Sequence, residues 1–314
     1  MLLCVAPLNL YCWGFYGHKS INRLAVFTLP TELMVFYKDH LEFISEHAVD
    51  PDMRRYVVKE ESPRHYIDID HYGEDPFKLV PRKWEDAVEK LSEDILQAYG
   101  IVPWHVKRMY VRLIYAFKEK DIPYILKTSA DIGHYIADAH VPLHTTENYN
   151  GQLTNQKGIH GFWESRLPEL YAEDYDYFVG KAEIVKDPLV TIWTALENSH
   201  NAVDSALEFE AALNQSFPSD RKYAFEERGR STVKVYSRDY SAEYHIMLDD
   251  MVQSRMRASI ITIGSFWYSA WVEAGQPDLE GKVDPEDWEE IEEEKKQLEA
   301  EYRAKPVKSR EHDE

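Results

Sequence analysis

Apolar residues recur at helical spacing through most of the chain, and turn residues separate the resulting segments. His18, Leu24 and Phe27 belong to the first segment, and Pro30 stops it. The same pattern predicts helices over Thr31 to His47, Trp84 to Tyr99, Val102 to Phe117, Asp121 to His140, Leu189 to Leu213 and Tyr240 to Trp271. Only 13 Gly and 15 Pro interrupt 314 residues, which favours helices over a turn-rich β fold. We therefore predict an all-α protein, whose length suffices for one large domain or two small ones.

The connecting segments carry irregular and polar sequence. The stretch HYIDIDHY, which begins at His65, predicts either a short extended piece or a turn. Thr145 to Gly158 is rich in Asn, Gly, Thr and Gln and predicts a loop. Residues 284–314 form an acidic, charged tail, in which we expect a solvated helix that frays into a disordered end.

Charge and cysteine content limit the possible chemistry. A formal net charge of −20 disfavours a general polyanion-binding protein, because such proteins usually carry a basic face. It does not exclude a phosphate substrate, because bound divalent metals reverse the local field. Cys4 and Cys12 both precede Trp13, so the main body offers neither an internal disulfide nor a thiolate ligand. Any metal there must be held by His, Asp and Glu.

The first 12 residues, MLLCVAPLNLYC, are apolar and carry no charged side chain. They are too short to span a bilayer. Two interpretations are open: the end of a secretory signal that lacks the usual basic region, or a frayed terminus. The other apolar run, Ala258 to Trp271, has the length of a buried core helix, so we predict no stable membrane span.

Two histidine–carboxylate pairs stand out between Gly133 and Glu169. His134 precedes Asp138 by four residues, and His160 precedes Glu164 by four. On a helix this spacing places both side chains of a pair on one face, within reach of one ion. Imidazole and carboxylate are the ligands that zinc accepts where thiolates are absent. The spacing leaves both a metal site and ordinary helix-surface pairs open. His140 lies off the shared face, and we expect its ring to hydrogen-bond to a metal ligand rather than to bind the metal itself.

The surrounding motifs resemble those of a known family. HYIADAHVPLH, at residues 134–144, resembles the H-x-x-x-D-x-H-x-P-x-H motif of the zinc-dependent phosphoesterases, which join the S-one/P-one single-strand nucleases to the bacterial zinc phospholipases C. WGFYGH at 13–18 looks like the mature N-terminus of the nucleases. PRHYID at 63–68 and IHGFWESRLPE at 159–169 resemble further ligand segments. The order and spacing of these motifs make chance agreement improbable.

The resemblance implies a single-domain helical phospholipase C/nuclease fold over residues 13–283, with three Zn²⁺ ions in a cleft. Asp138 would bridge two of these ions. The upstream aspartate stays open between Asp52, which has Arg55 three residues later, and Asp50, whose distance to the next histidine matches the nucleases better. The implied ligand sets are Trp13 with His18; Asp52 or Asp50 with His65, His134 and Asp138; and His144 with His160 and Glu164.

The resemblance also implies an activity, which is phosphodiester hydrolysis by a metal-activated hydroxide. Asp138 would orient the nucleophile, and Arg55 or Arg54 would contact the phosphate. Tyr66 follows His65 where the nucleases place an aromatic that stacks on a base, although its position favours a core aromatic slightly more. We expect single-stranded nucleic acid or nucleotides as substrate.

Two alternatives remain at this stage. A phospholipase C that releases phosphorylated head groups is favoured by Glu164, because the nucleases usually have Asp there. A non-catalytic zinc-binding helical protein is the other. The resemblance implies no protein partner. The resemblance further implies that residues 1–12 are removed, because an α-amine binds zinc only when it is free. It also implies that the mature protein is secreted or periplasmic.

Overall fold

Helices form nearly all of the regular structure in the computed structural model, which describes residues 14–228, 231–279 and 285–304, and the prediction of an all-α fold is confirmed. The first nine are α1 Gly14–Ala25, α2 Thr31–Asp39, α3 Leu41–Glu46, α4 Asp50–Arg54, α5 Pro76–Leu79, α6 Trp84–Leu91, α7 Glu93–Tyr99, α8 Val102–Glu119 and α9 Ile122–Asp138. The others are α10 Ile159–Gly161, α11 Leu167–Tyr171, α12 Pro188–His200, α13 Val203–Ser216, α14 Arg238–Leu248, α15 Met251–Glu273 and α16 Pro285–Ala304.

Short helical turns connect these elements. A π-helical turn, Phe162–Arg166, joins α10 to α11 without a break. The 3-10 turns are Val26–Thr28, His47–Val49, Ser62–Arg64, Ile69–Tyr72, Pro142–Thr145, Ala172–Asp174 and Ser219–Arg221. The turn at Ile69–Tyr72 decides between the two interpretations of HYIDIDHY in favour of a turn.

Four helices that the periodicity predicts as continuous are broken in the structure. Ser92, at φ 69°, separates α6 from α7 and caps α7 by accepting the N–H of Ile95. Asp249, at φ 53°, separates α14 from α15. Breaks also separate α2 from α3 at His40 and α12 from α13 after His200. The single-helix predictions were wrong here because both halves keep an apolar face, so a one-residue change of direction leaves the periodicity intact.

A two-stranded antiparallel hairpin was not predicted. β1 Tyr223–Arg228 pairs with β2 Ser231–Tyr236, in a register that runs from Tyr223↔Tyr236 to Arg228↔Ser231. Arg166 ties the hairpin to the π-helical turn, because its guanidinium donates to both carboxylate oxygens of Glu226 at 2.9 and 2.6 Å. Six residues of weak alternation are too few to distinguish a strand from a loop in the sequence.

Helix α9 lies at the centre of the core and packs against α1, α8 and α15. Every residue from Ser129 to Asp138 is buried. Trp267 of α15 donates its indole N–H to the Ser129 carbonyl at 3.1 Å, and Asn22 of α1 donates to the Ala130 carbonyl at 3.1 Å. A helix held on several sides in this way gives fixed positions to the side chains near its C-terminal end. The buried-helix prediction for Ala258 to Trp271 is confirmed by α15.

None of the helices in the described ranges combines the length and the apolar character that crossing a bilayer needs.

We had expected a solvated helix in the acidic tail, but the C-terminal helix α16 is partly buried. Trp288 lies 5.4 Å from the ring of Phe43, Ile291 is buried, and Tyr302 contacts Tyr56 at 5.4 Å. An apolar stripe at helical spacing packs α16 on α4 and α9, and the many Glu and Lys residues around it hide this stripe in the sequence. The predicted frayed end, 305–314, lies outside the described residues.

Candidate metal centre

Three segments converge beside the C-terminal half of α9. That helix contributes His134 and Asp138, one turn apart on the same face. His18 comes from α1, Asp52 comes from α4, and His65 follows the 3-10 turn Ser62–Arg64. All five side chains are buried. They form two groups that can hold a metal ion and that share His134, namely His18–Asp52–His134 and His65–His134–Asp138.

The ligand atoms of these two groups lie close together. His65 Nδ1 is 3.0 Å from His134 Nε2 and 2.9 Å from Asp138 Oδ2. Asp52 Oδ1 is 3.7 Å from His134 Nε2. The other oxygen of Asp138, Oδ1, faces His18 Nε2 at 3.4 Å. The two oxygens of Asp138 therefore face different ligands, an arrangement that suits a carboxylate bridging two ions.

A third group lies on the other side of Asp138. His144 comes from the 3-10 turn Pro142–Thr145, whereas His160 and Glu164 come from α10 and the π-helical turn after it. His144 Nε2 is 3.2 Å from His160 Nε2 and 3.3 Å from Glu164 Oε2, and His160 Nε2 is 3.1 Å from Glu164 Oε1. Both histidine–carboxylate pairs identified from spacing thus belong to groups of three buried side chains.

Backbone carbonyls orient three of the histidines. The Nδ1–H of His134 donates to Ala48 O at 2.8 Å, that of His144 to His65 O at 2.7 Å, and that of His160 to Tyr149 O at 3.0 Å. These bonds select the tautomer with the proton on Nδ1, so the lone pair of Nε2 points into the group. Metal-ligating histidines in proteins are usually oriented by hydrogen bonds of this kind.

Several buried polar atoms of the centre have no hydrogen-bond partner. They include both carboxylate oxygens of Asp52, both of Glu164, Oδ1 of Asp138 and both ring nitrogens of His18. A buried polar atom without a partner costs roughly 1–3 kcal/mol, and more when it is charged. Cations at these positions would satisfy the carboxylate oxygens and one ring nitrogen of His18. Nitrogen and oxygen donors in groups of three fit zinc, which accepts both.

The charges of the centre favour cation binding at neutral pH. Burial alone would raise the pKa of Asp138, but the neighbouring His134 and His144 hold it well below its usual range. Burial likewise opposes ionisation of Glu164, whereas His160 and His144 lower its pKa to about 2. Burial acts to lower the pKa of His134, but Asp138 and Asp52 raise it to about 9. Both carboxylates therefore stay ionised, and a metal ion must displace a proton from His134.

Asp50 and Asp52, which the sequence left as alternatives, face different partners. Asp52 lies in the first group, whereas Asp50 Oδ2 is 2.6 Å from His47 Nδ1 and lies outside all three groups. Arg55 is buried, with Nη1 3.6 Å from Asp52 Oδ1. Arg54 instead pairs with Asp131 at 2.8 Å, away from the ligands.

The remaining predicted residues have varied positions. Trp13 lies outside the described residues, but the next residue, Gly14, donates its N–H to Ser165 Oγ at 3.2 Å and so starts α1 beside the third group. Tyr66 is half-buried against Gly100. His140 donates Nδ1–H to Ile136 O at 2.7 Å and faces Thr262 at 3.4 Å. The prediction that His140 hydrogen-bonds to a metal ligand was wrong, since neither of these partners belongs to the three groups.

Glu61 is a residue that the sequence analysis did not identify. It is buried, accepts the hydroxyl of Tyr135, pairs with Arg64, and lies 3.9 Å from His65 Nε2. Its carboxylate therefore faces Nε2 of the His65 ring, on the side away from the other ligands. Its spacing of four residues before His65 was the available signal, but the two lie in a turn rather than in a predicted helix.

No protein-family model and no curated protein sequence matches this chain. A functional assignment rests on the geometry of the centre and on the motif resemblance.

Proposed function

We propose that this protein is a zinc-dependent phosphodiester hydrolase related to the S-one/P-one nucleases and zinc phospholipases C, with single-stranded nucleic acid or nucleotides as its substrate. One observation carries the proposal: three groups of buried nitrogen and oxygen donors converge around Asp138, and five of their six carboxylate oxygens have no hydrogen-bond partner. The motifs that carry the family resemblance supply every member of these groups except Asp52.

The residues that would hold three zinc ions are the members of the three groups, with Trp13 added at the N-terminus. When bound, zinc lowers the pKa of water to about 7 and stabilises negative charge on phosphoryl oxygens. Asp138, ionised and buried, orients the attacking water through its carboxylate. Arg55 adds a positive charge beside Asp52, and its guanidinium suits a phosphate oxygen.

The choice of substrate within this class rests on two residues. Tyr66, next to His65, supports nucleic acid, because an aromatic at this position stacks on a base in the nucleases. Glu164 supports the second candidate, release of a phosphorylated head group from a phospholipid. Under either function, we propose that the mature protein starts at Trp13 and acts outside the cytoplasm.

A parallel assay tests the function. Zinc-loaded protein is incubated with single-stranded DNA, RNA, a nucleoside monophosphate and phosphatidylcholine. We expect cleavage of single-stranded nucleic acid, and loss of more than a thousandfold in rate for Asp138→Asn. His140→Gln is the matched control, since His140 is equally buried near the end of the same segment but lies outside the three groups.

Each outcome of the assay has a distinct meaning. Release of phosphocholine without nucleic-acid cleavage would replace the nuclease by the phospholipase. Hydrolysis of none of the four substrates by protein that carries its full zinc content would refute the enzyme and leave a zinc-binding helical protein.

A further inference from the structure

A cavity of about 400 Å³ lies behind the metal centre, between α4, α8, α9 and the C-terminal helix α16. Its lining includes Arg64, His105 and Arg112 on one side and Lys127 and Lys295 on the other. None of the residues in the three metal-binding groups lines it. Tyr135 separates the two sites, since its ring contacts both His65 at 5.3 Å and His105 at 4.5 Å.

Most charges around the cavity are paired, but among the described residues Arg112 on α8 and Lys295 and Glu301 on α16 form no ion pair. Arg54 pairs with Asp131, Lys127 with Glu294, His47 with Asp50, and Arg64 with Glu61. Within the described residues, no carboxylate lies within ion-pair distance of Arg112, whose guanidinium contacts the sulfur of Met109 at 3.7 Å. Glu301 of α16, which also lines the cavity, forms no ion pair with it.

His105 lies beside this unpaired charge. Only 2% of its surface is exposed, and neither ring nitrogen has a hydrogen-bond partner. Burial lowers its pKa well below the usual range, and Arg64, Arg108 and Arg112 lower it further. The imidazole is therefore neutral at physiological pH and keeps one N–H donor. A buried donor without a partner, in a region where three arginines create a positive potential, is the environment that a bound anion would complete.

We propose that this cavity binds a small molecule through a phosphate group, which Arg112, Arg64 and the ring N–H of His105 contact. Guanidinium groups recognise phosphate by paired N–H···O bonds. The volume exceeds what one phosphate ion fills and is that of a small-ligand pocket.

The bound molecule would connect α8 to α16. Lys127 and Lys295 lie at the α16 side of the cavity, and Lys295 donates to the Glu46 carbonyl at 3.1 Å. Ligand binding should therefore stabilise the docking of α16. This gives a readout that does not depend on hydrolysis or on the metal centre.

The test uses inorganic phosphate as the probe and the full zinc-loaded chain. Phosphate can also bind at the metal centre, so the wild type is compared with Arg112→Gln by isothermal titration calorimetry. Arg82→Gln is the matched control, because Arg82 is exposed, lies outside the cavity and loses the same charge. We expect one phosphate-binding event, present in wild type and in Arg82→Gln, to weaken at least tenfold in Arg112→Gln.

Limited proteolysis provides the second measurement. Phosphate should slow cleavage within α16 in wild type and in Arg82→Gln, but not in Arg112→Gln. Because the Arg112 side chain is exposed, this variant should fold and retain its zinc. Equal phosphate binding and equal protection in the two variants would overturn the proposal and leave a cavity filled by water.

Discussion

Replacing Asp138 should remove more metal than replacing His160. Asp138 turns one carboxylate oxygen toward His65 and the other toward His18, so it can contact ions in two groups, whereas His160 offers one ring nitrogen, Nε2, and belongs to one group. We therefore expect Asp138→Ala to retain about one zinc of three and His160→Ala to retain about two. His140→Ala serves as the control, since it truncates an equally buried side chain outside the groups.

The expected stability changes follow from the same count. At a free zinc concentration of about 100 times Kd, each occupied site adds about 2.7 kcal/mol to the free energy of unfolding. Loss of two sites then removes about 5.4 kcal/mol, and loss of one removes about 2.7 kcal/mol. For a domain of this size about 2 °C of Tm corresponds to 1 kcal/mol, so the zinc-dependent part of Tm should fall by roughly 10 °C and 5 °C respectively. His140→Ala should keep all of it.

Zinc per folded chain is measured by mass spectrometry of digested protein, and Tm by calorimetry with and without a chelator. Subtracting the chelated from the zinc-loaded Tm removes the packing cost that each deletion also carries. Equal zinc content in the Asp138 and His160 variants would refute the bridging position of Asp138. A chelator-independent Tm in the wild type would refute metal binding at all three groups.

Three further predictions concern the positions that the structure separates. Asp52→Asn should lower zinc content and turnover, whereas Asp50→Asn should leave zinc content unchanged because the partner of Asp50 is His47. Equal zinc loss in the two variants would contradict the assignment of Asp52 alone to the first group. Protein that begins at Trp13 should bind one more zinc and hydrolyse the phosphodiester faster than protein that keeps residues 1–12. The reason is that only a free α-amine, with a pKa of about 8, coordinates metal near neutral pH. Equal zinc content and equal rates would exclude the N-terminal ligand. Gly133→Ala should destabilise the fold by up to about 2 kcal/mol in urea denaturation, since overpacking costs about 1–3 kcal/mol and helix propensity returns about 1 kcal/mol. The added Cβ would lie 2.2 Å from Asn22 Oδ1, whereas Gly161→Ala meets nothing within 4 Å and should be neutral or stabilising; similar values for the two would show that α1 and α9 are not in close contact.

The sequence by itself determined the helical class and both histidine–carboxylate pairs. These features are local: a period of about 3.6 residues and a spacing of four residues are decided by the backbone of one helix. Asp121 as the cap of α9 is local too, because its side chain accepts the N–H of Tyr124, three residues later. Which residues share a helix face can be predicted from their spacing.

Tertiary structure decided the remaining features. Asp50 and Asp52 both lie in the first turn of α4, where nothing local distinguishes them, and only the positions of His47 and α9 direct one aspartate away from the ligands and the other toward them. The apolar stripe of α16 acquired a role only when the helix folded back on α4. His105 and Arg112 are an ordinary pair of residues on α8 until α16 and Arg64 enclose them in a cavity. Such contacts join residues far apart in the chain, so their free energy depends on packing that a local pattern does not contain.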